Sequence, residues 1–263
     1  MKKCDDKTST CDKEELRPII IATNLFKQYH GSPTQALQGL NLSVKEGEFF
    51  GLLGPNGSGK TTTISILCGL ISQTSGDVEI AGKHIPGHLN AIKPLIGLVP
   101  QDIALYPTLT FVENLRFLGQ LYGLPSSLLR ERIDQCIEIA GLKNFTKKAI
   151  KTFSGGMKRR ANLAAGLLHQ PRILFLDEPT VNVDPQSRNV IFEILQKLNE
   201  KGTTIIYSTH YLEEAQQLCH RVAIIEQGRS LCQDTPQNLI NNTAGSRDLG
   251  DVFITLTGRH LRD

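Results

Sequence analysis

A chain of 263 residues with 40% apolar content is long enough for one large domain or two coupled lobes around an ordinary buried core. Its net charge of +3, with Lys and Arg scattered along the chain, provides no basic face to neutralise a nucleic-acid backbone, so nucleic acid is not an expected partner. Apolar runs such as Phe49–Leu53 are far shorter than the roughly 20 residues that cross a bilayer, and the basic start Met1-Lys2-Lys3 has no apolar stretch behind it, so a cytoplasmic chain without a spanning segment or secretory signal is expected.

The polar, mixed-charge leader of residues 1–17 reads as disordered and carries Cys4 and Cys11. Cysteines 68, 136, 219 and 232 form no Cys-x-x-Cys pair and have no His at ligand spacing, so reduced thiols without a metal role are expected throughout. Residues 19–25 and 40–44 read as strands, Glu46-Gly47-Glu48 as a turn and Phe49–Leu53 as a buried strand. A loop opens at Gly54, followed by a helix over residues 61–70 with Ile64, Leu67, Cys68 and Ile71 as its core stripe. A turn at Ser75-Gly76 leads to strands near 77–80 and 96–99, ended by Pro100-Gln101. From Asp102 to His169 the pattern turns helical: a capping box at Thr110–Glu113 begins one helix, and residues 128–140 make a second, closed by Gly141. Strand-like runs resume at 173–176, 203–208 and 222–226, with a helix over 185–201 stopped by Gly202. Residues 234–251 are polar and rich in Gly and Asn, and residues 252–256 read as an edge strand or a docked extension. This alternation predicts an α/β protein on a largely parallel sheet, with an inserted helical lobe and no internal repeat.

Gly54-Pro55-Asn56-Gly57-Ser58-Gly59-Lys60-Thr61 satisfies the G-x-x-x-x-G-K-[ST] pattern between a predicted strand and a predicted helix. The glycines let successive N–H groups point at phosphates, Lys60 brings a mobile point charge, and the Thr61 hydroxyl suits Mg²⁺. Asp177 and Glu178 follow the apolar run 173–176, at the strand end where parallel sheets bind ligands. Asp177 suits holding Mg²⁺ or its water, and Glu178 suits orienting and deprotonating an attacking water. Ser154-Gly155-Gly156, at the start of a predicted helix, combines a hydroxyl with two unhindered backbone N–H groups and a positive dipole end, a second phosphate site in the same chain. Lys158-Arg159-Arg160 behind it reads as a solvated basic face.

In order and spacing these motifs resemble the ATP-binding subunits of ATP-binding cassette (ABC) transporters, and the resemblance covers nearly the whole chain after the leader. It implies a P-loop NTPase (RecA-like) core with a mostly parallel sheet, an inserted helical subdomain and an antiparallel β subdomain. The implied division is 18–101 with 170–235 for the ATP-binding core, 102–169 for the helical signature subdomain and 236–263 for a C-terminal extension. It further implies ATP and Mg²⁺ as ligands, with Gly54 to Thr62 around the phosphates. Ser154-Gly155-Gly156 becomes the signature motif, touching the γ-phosphate held by the opposite subunit of a head-to-tail dimer. Tyr29 would stack on adenine, Gln101 would touch Mg²⁺ or water and relay nucleotide state, Asp184 would join the nucleotide site, and His210 would contact the γ-phosphate and the water held by Glu178.

Met157 stands where the signature usually has Gln, and Val181-Asn182-Val183-Asp184 replaces the usual Ser-Gly-Leu-Asp; Asn182 can take the left-handed conformation a Gly would. The runs 154–160, 177–185 and 251–259 look like those of ATPases paired with ABC-2 type permeases, mostly exporters of drugs, lipids or polysaccharides. The implied partners are such a permease and a second ATPase subunit, identical or different. Membrane contact would come only through the permease, on the cytoplasmic face. The competing readings are a soluble ABC ATPase acting on a non-transport protein and a nucleotide sensor without turnover.

Overall fold

A computed structural model describes residues 18–258; the leader and residues 259–263 lie outside the described residues. The chain opens with β1 (Pro18–Gln28), β2 (Gln35–Lys45), β3 (Phe49–Leu53), α1 (Lys60–Leu67), β4 (Ser75–Ile80), β5 (Lys83–Ile85), α2 (Leu89–Ile92) and β6 (Ile96–Val99). Three helices follow without an intervening strand: α3 (Phe111–Leu121), α4 (Ser126–Ala140) and α5 (Gly155–Gly166). The remainder is β7 (Ile173–Asp177), α6 (Pro185–Glu200), β8 (Thr204–Thr209), α7 (Leu212–Leu218), β9 (Arg221–Glu226), β10 (Arg229–Asp234), α8 (Pro236–Asn242) and α9 (Leu249–Thr257).

Two sheets result. A six-stranded sheet runs β10-β9-β3-β8-β7-β6, parallel except for β10, and a four-stranded antiparallel sheet runs β2-β1-β4-β5. Every residue of β3, β7 and β8 is buried, the mark of parallel strands covered on both faces. Period-2 alternation then divides their side chains between two cores. Phe49, Leu53, Leu174, Leu176, Ile205 and Tyr207 join α3–α9 on one face, while Phe50, Leu52, Ile173, Phe175 and Ile206 join α1 and the antiparallel sheet on the other. The expected P-loop fold, with its helical and antiparallel subdomains, is the one observed.

The expected helix starts follow their local chemistry. Thr110 accepts from the Glu113 N–H while the Glu113 carboxylate accepts from the Thr110 N–H at 2.8 Å, a complete capping box at α3. Asp184 caps α6 by accepting from the Ser187 N–H at 2.9 Å, with Pro185 in the first turn.

Four expectations need correction. The helix after the phosphate loop stops at Leu67, because Gly69 N–H to Ile66 O and Leu70 N–H to Ser65 O close a Schellman turn that leaves Leu70 exposed. Ser75-Gly76 lies inside β4 rather than in a turn before it. The polar stretch after residue 234 contains α8, capped by Thr235 through the Asn238 N–H at 3.1 Å. The run 252–256 is not an edge strand but part of α9: Asp248 accepts from the Asp251 N–H at 2.9 Å, and Leu249, Val252 and Phe253 at i, i+3 and i+4 are buried against the helical core. The docked extension is the alternative the packing selects, since a cap and a helical stripe outweigh β-branched propensity. Three short elements, β5, α2 and α7, had no expected counterpart, and neither did β10.

Candidate functional site

The loop between β3 and α1 begins with a backbone position that excludes a side chain. A Cβ on Gly54 would fall 2.2 Å from Ile225 O and 2.6 Å from Ser58 Oγ, so β9 and the loop itself press on this residue. Lys60, at the first position of α1, is only 4% exposed, and its ammonium donates to Gly54 O at 2.8 Å and Pro55 O at 3.1 Å. Its third partner is Glu178 Oε1, at 3.1 Å. The ammonium therefore donates to two carbonyls and has one carboxylate as its counter-charge. Ser58 Oγ is buried without a hydrogen-bond partner. Asn56, Gly57, Gly59, Lys60, Thr61 and Thr62 line a cleft of about 480 Å³ that Gln101 and Glu178 close from the other side.

Strand order carries the acidic pair to this loop, because β8 and then β7 lie next to β3. Asp177 and Glu178 are 5% and 6% exposed. Glu178 has a left-handed backbone (φ 45°), unusual for a residue with a long side chain. Its Oε2 lies 3.3 Å from His210 Nδ1, close but not aligned as a hydrogen bond. One carboxylate thus stands between the ammonium of Lys60 and the imidazole of His210. The structure brings Lys60, Asp177, Glu178 and His210 together as expected, with Gln101 on the rim of the same cleft.

Sequence reasoning missed two groups behind this cluster. The Ser208 hydroxyl accepts from the Glu178 N–H at 3.0 Å and donates to Asp177 Oδ1 at 2.6 Å. Deeper, the Glu214 carboxylate of α7 accepts from Tyr207 Oη at 2.7 Å, Thr180 Oγ1 at 2.9 Å and Thr209 Oγ1 at 3.2 Å, with Arg188 Nη1 at 3.6 Å. Burial first, and then the Glu214 charge, push the Tyr207 hydroxyl well above its ordinary pKa and keep it a donor. This network joins the turn after β7, the end of β8 and the first turn of α6, so it buttresses both Glu178 and His210. The available signal was a serine at the polar end of a buried strand and an acid four residues after His210, neither of which identifies its partner.

Tyr29 follows β1, is 43% exposed, and meets α1 through its hydroxyl, 3.2 Å from Thr62 Oγ1; Lys27 Nζ lies 5.1 Å from the ring centroid. Ser154 is the N-cap of α5, its Oγ accepting from the Met157 N–H at 3.2 Å, which leaves its own hydrogen free to donate. Ser154 and Gly155 are exposed, but Gly156 is not: a Cβ there would fall 2.1 Å from Ser187 Oγ and 3.5 Å from Asp184 Oδ2. Gly156 is required by close packing of α5 on α6, and of the two glycines only Gly155 is exposed. Asp184 lies beside that contact, and the Ser187 N–H holds its carboxyl below the usual carboxylate range. Asn182 does take the left-handed conformation (φ 59°).

The expected solvated face at 158–160 is corrected as well. Arg159 donates to Gln101 O and, at 3.3 Å, to Val181 O, while Arg160 donates to Ala140 O at 2.7 Å. Asn162, one turn further along, holds Ala104 N–H, Pro100 O and Asp102 O. The helix that begins at Ser154 therefore also pins the loop bearing Gln101.

The residues present fit Mg²⁺ and a phosphate chain. An orphaned buried hydroxyl (Ser58), an open space where Gly57 would carry Cβ and the glycine-rich backbone suit phosphate oxygens, and the Thr61 hydroxyl, Asp177 carboxylate and Gln101 amide are oxygen donors of the kind a hard cation takes. The described cysteines play no part in this cleft; burial pushes the Cys136 thiol up to about 12 and raises those of Cys68 and Cys219 further.

Comparison with known proteins agrees with this geometry. The model of the ABC transporter family matches residues 37–181. The chain is 48% identical over 239 residues to the linearmycin resistance ATP-binding protein LnrL of Bacillus subtilis (strain 168), covering 91% of this chain and 75% of that protein. It is 40% identical over 236 residues to the Nod factor export ATP-binding protein I of Ralstonia nicotianae, covering 90% and 73%. Among solved structures, the ATP-binding cassette MJ0796 as a post-hydrolysis dimer bound to ADP and Pi superposes with a TM-score of 0.74 at 31% identity, covering 82% of this chain and 98% of that one. No described helix is long and apolar enough to cross a membrane. From the family match and from relatives aligned over nine-tenths of its length, the chain belongs to the ABC transporter family, as an ATP-binding subunit that works with a membrane permease.

Proposed function

We propose that this chain is the ATPase of an ABC-2 type exporter, working at the cytoplasmic face of the membrane as a dimer closed around two ATP. The carrying observation is Glu178 held between Lys60 and His210 (3.1 and 3.3 Å) in a chain whose Ser154 and Gly155 stay exposed at the N-terminus of α5. The relatives named for linearmycin resistance and Nod factor export support the exporter reading.

Lys60 and the loop N–H groups bind the β- and γ-phosphates, and Tyr29 stacks on the adenine. Thr61, Gln101 and Asp177 would hold Mg²⁺, which would draw charge from the phosphate oxygens. A phosphate oxygen that accepts from Lys60 replaces Glu178 as the closest anion to the ammonium and frees Oε1 for a water molecule. Glu178 orients that water and accepts its proton, and His210 steadies the water and the γ-phosphate. The Ser154 hydroxyl and the first N–H groups of α5 meet the γ-phosphate held by the other subunit, with Asp184 beside them. Such a dimer is isologous, so one sequence can supply both halves of each site. Residues 102–169 act as the lobe that carries this closure to the permease.

Two measurements test the proposal. Glu178→Gln should lower turnover by about 10²–10⁴-fold while nucleotide binding persists and an ATP-bound dimer accumulates; unchanged hydrolysis removes Glu178 from its role. Affinity isolation from membranes should recover a multi-span partner, and recovery of a non-transport protein in its place would favour a soluble ABC ATPase.

A further inference from the structure

We infer that Ser208 is a positioning residue that sets the geometry of both Asp177 and Glu178, so that the Mg²⁺ requirement of this ATPase depends on a hydroxyl outside its motifs. The inference rests on the preceding assignment of Asp177 to the cation and Glu178 to the water.

Ser208 belongs to β8, all of whose residues are buried, and sits in register between Leu52 of β3 and Asp177 of β7. Its neighbours in the strand, Ile205, Ile206 and Tyr207, fill the two cores. A hydroxyl in such a sheet is costly unless it is hydrogen-bonded, and both bonds of this one go to site residues: 2.6 Å to Asp177 Oδ1 and 3.0 Å from the Glu178 N–H. The first is short, as expected of a hydroxyl donating to a carboxylate. It commits Oδ1, fixes the plane of the carboxylate and leaves Oδ2 for the cation's shell. The second bond, with Ser208 O also accepting the Glu178 N–H at 3.2 Å, anchors a peptide whose left-handed φ of 45° has to be held by its surroundings. Alanine at this position would keep the strand and its packing but leave Asp177 free to rotate and the Glu178 N–H with a single acceptor.

The experiment uses the full chain with a fluorescent ATP analogue, first in EDTA and then in a Mg²⁺ titration, alongside steady-state turnover. Ser208→Ala should bind the analogue in EDTA within about twofold of the parent, need about tenfold more Mg²⁺ for half-saturation in both binding and turnover, and lose about tenfold in kcat with little change in KM. Ser208→Thr, which keeps the hydroxyl, should restore the Mg²⁺ half-saturation. A parental Mg²⁺ half-saturation in Ser208→Ala overturns the inference, as does an equal loss of affinity in EDTA, which would mark general damage. If Ser208→Ala does not fold, Ser208→Cys, close in size with a weaker donor, must show the same Mg²⁺ shift, and its absence counts against the role equally. Glu178→Gln separates the two readings: if it hydrolyses ATP normally the assignment of Glu178 to the water fails, whereas if it is inactive and Ser208→Ala is unshifted only Ser208 loses its role.

Discussion

The two regions of this chain proposed to meet phosphate are built in opposite ways. Around Lys60 every charged group is nearly buried and answered within the chain: the ammonium by two loop carbonyls and Glu178, the Asp177 carboxylate by Ser208. Around Ser154 the hydroxyl and the Gly155 backbone lie exposed at a helix N-terminus whose positive end has no carboxylate in its first turn. A self-satisfied region can bind nucleotide alone, and an exposed helix end with spare donors is suited to a phosphate brought by another subunit. The contrast predicts that loss of the Lys60 charge from the first region removes binding and turnover together, while damage to the second region spares binding.

The largest joint loss of binding and turnover should come from Lys60→Ala, which removes the point charge and leaves the nearly buried Glu178 without its closest cation. Turnover should fall by about 10²–10³-fold with nucleotide affinity falling alongside, as measured by phosphate release and analogue binding. Retained affinity would break the comparison at its first half.

At the second region, Ser154→Ala should lower turnover about tenfold with analogue binding unchanged. Ser154→Asp sharpens the point, since aspartate keeps the cap of α5 but opposes phosphate with a negative charge; it should hold Tm and lose more turnover than alanine does. The adjacent glycines should separate cleanly in thermal melts. Gly156→Ala drives Cβ into Ser187 and should cost about 1–3 kcal/mol of stability, whereas Gly155→Ala meets only Asn182 O at 3.9 Å and should melt near the parent.

A smaller loss is expected from Arg160→Ala, which frees Ala140 O at the end of α4: about 1 kcal/mol, read from denaturant unfolding at constant slope. The smallest effect concerns pH. Because the Ser187 N–H lowers the Asp184 pKa, the cap contributes fully above the ordinary carboxylate value of about 4 and is lost only as pH falls through the lowered value. Asp184→Asn should erase this acid-side dependence with little change in Tm at neutral pH.

How much of this was legible depended on how local each cause is. The phosphate loop, the capping box at Thr110 and the helix start at Pro185 each lie within a few consecutive residues, and all three stand where the sequence indicated. Arg159 and Arg160 read as solvated because three adjacent basic residues usually are, yet their partners at Gln101, Val181 and Ala140 come from other elements. The run 252–256 misled for a similar reason: its β-branched residues favour a strand, and only docking on the helical core gives them a helical face to bury.

By itself the sequence determined the nucleotide class, the parallel sheet, the inserted helices and the resemblance that the family match bears out, since these follow from contiguous motifs and from hydrophobic period. Tertiary structure alone decided that Glu178 meets both Lys60 and His210, that Ser208 and Glu214 stand behind them, and that Gly156 answers to Ser187 more than to phosphate. The strand order β3-β8-β7 and the packing of α5 on α6 bring together residues far apart in the chain, and no local pattern encodes such a meeting.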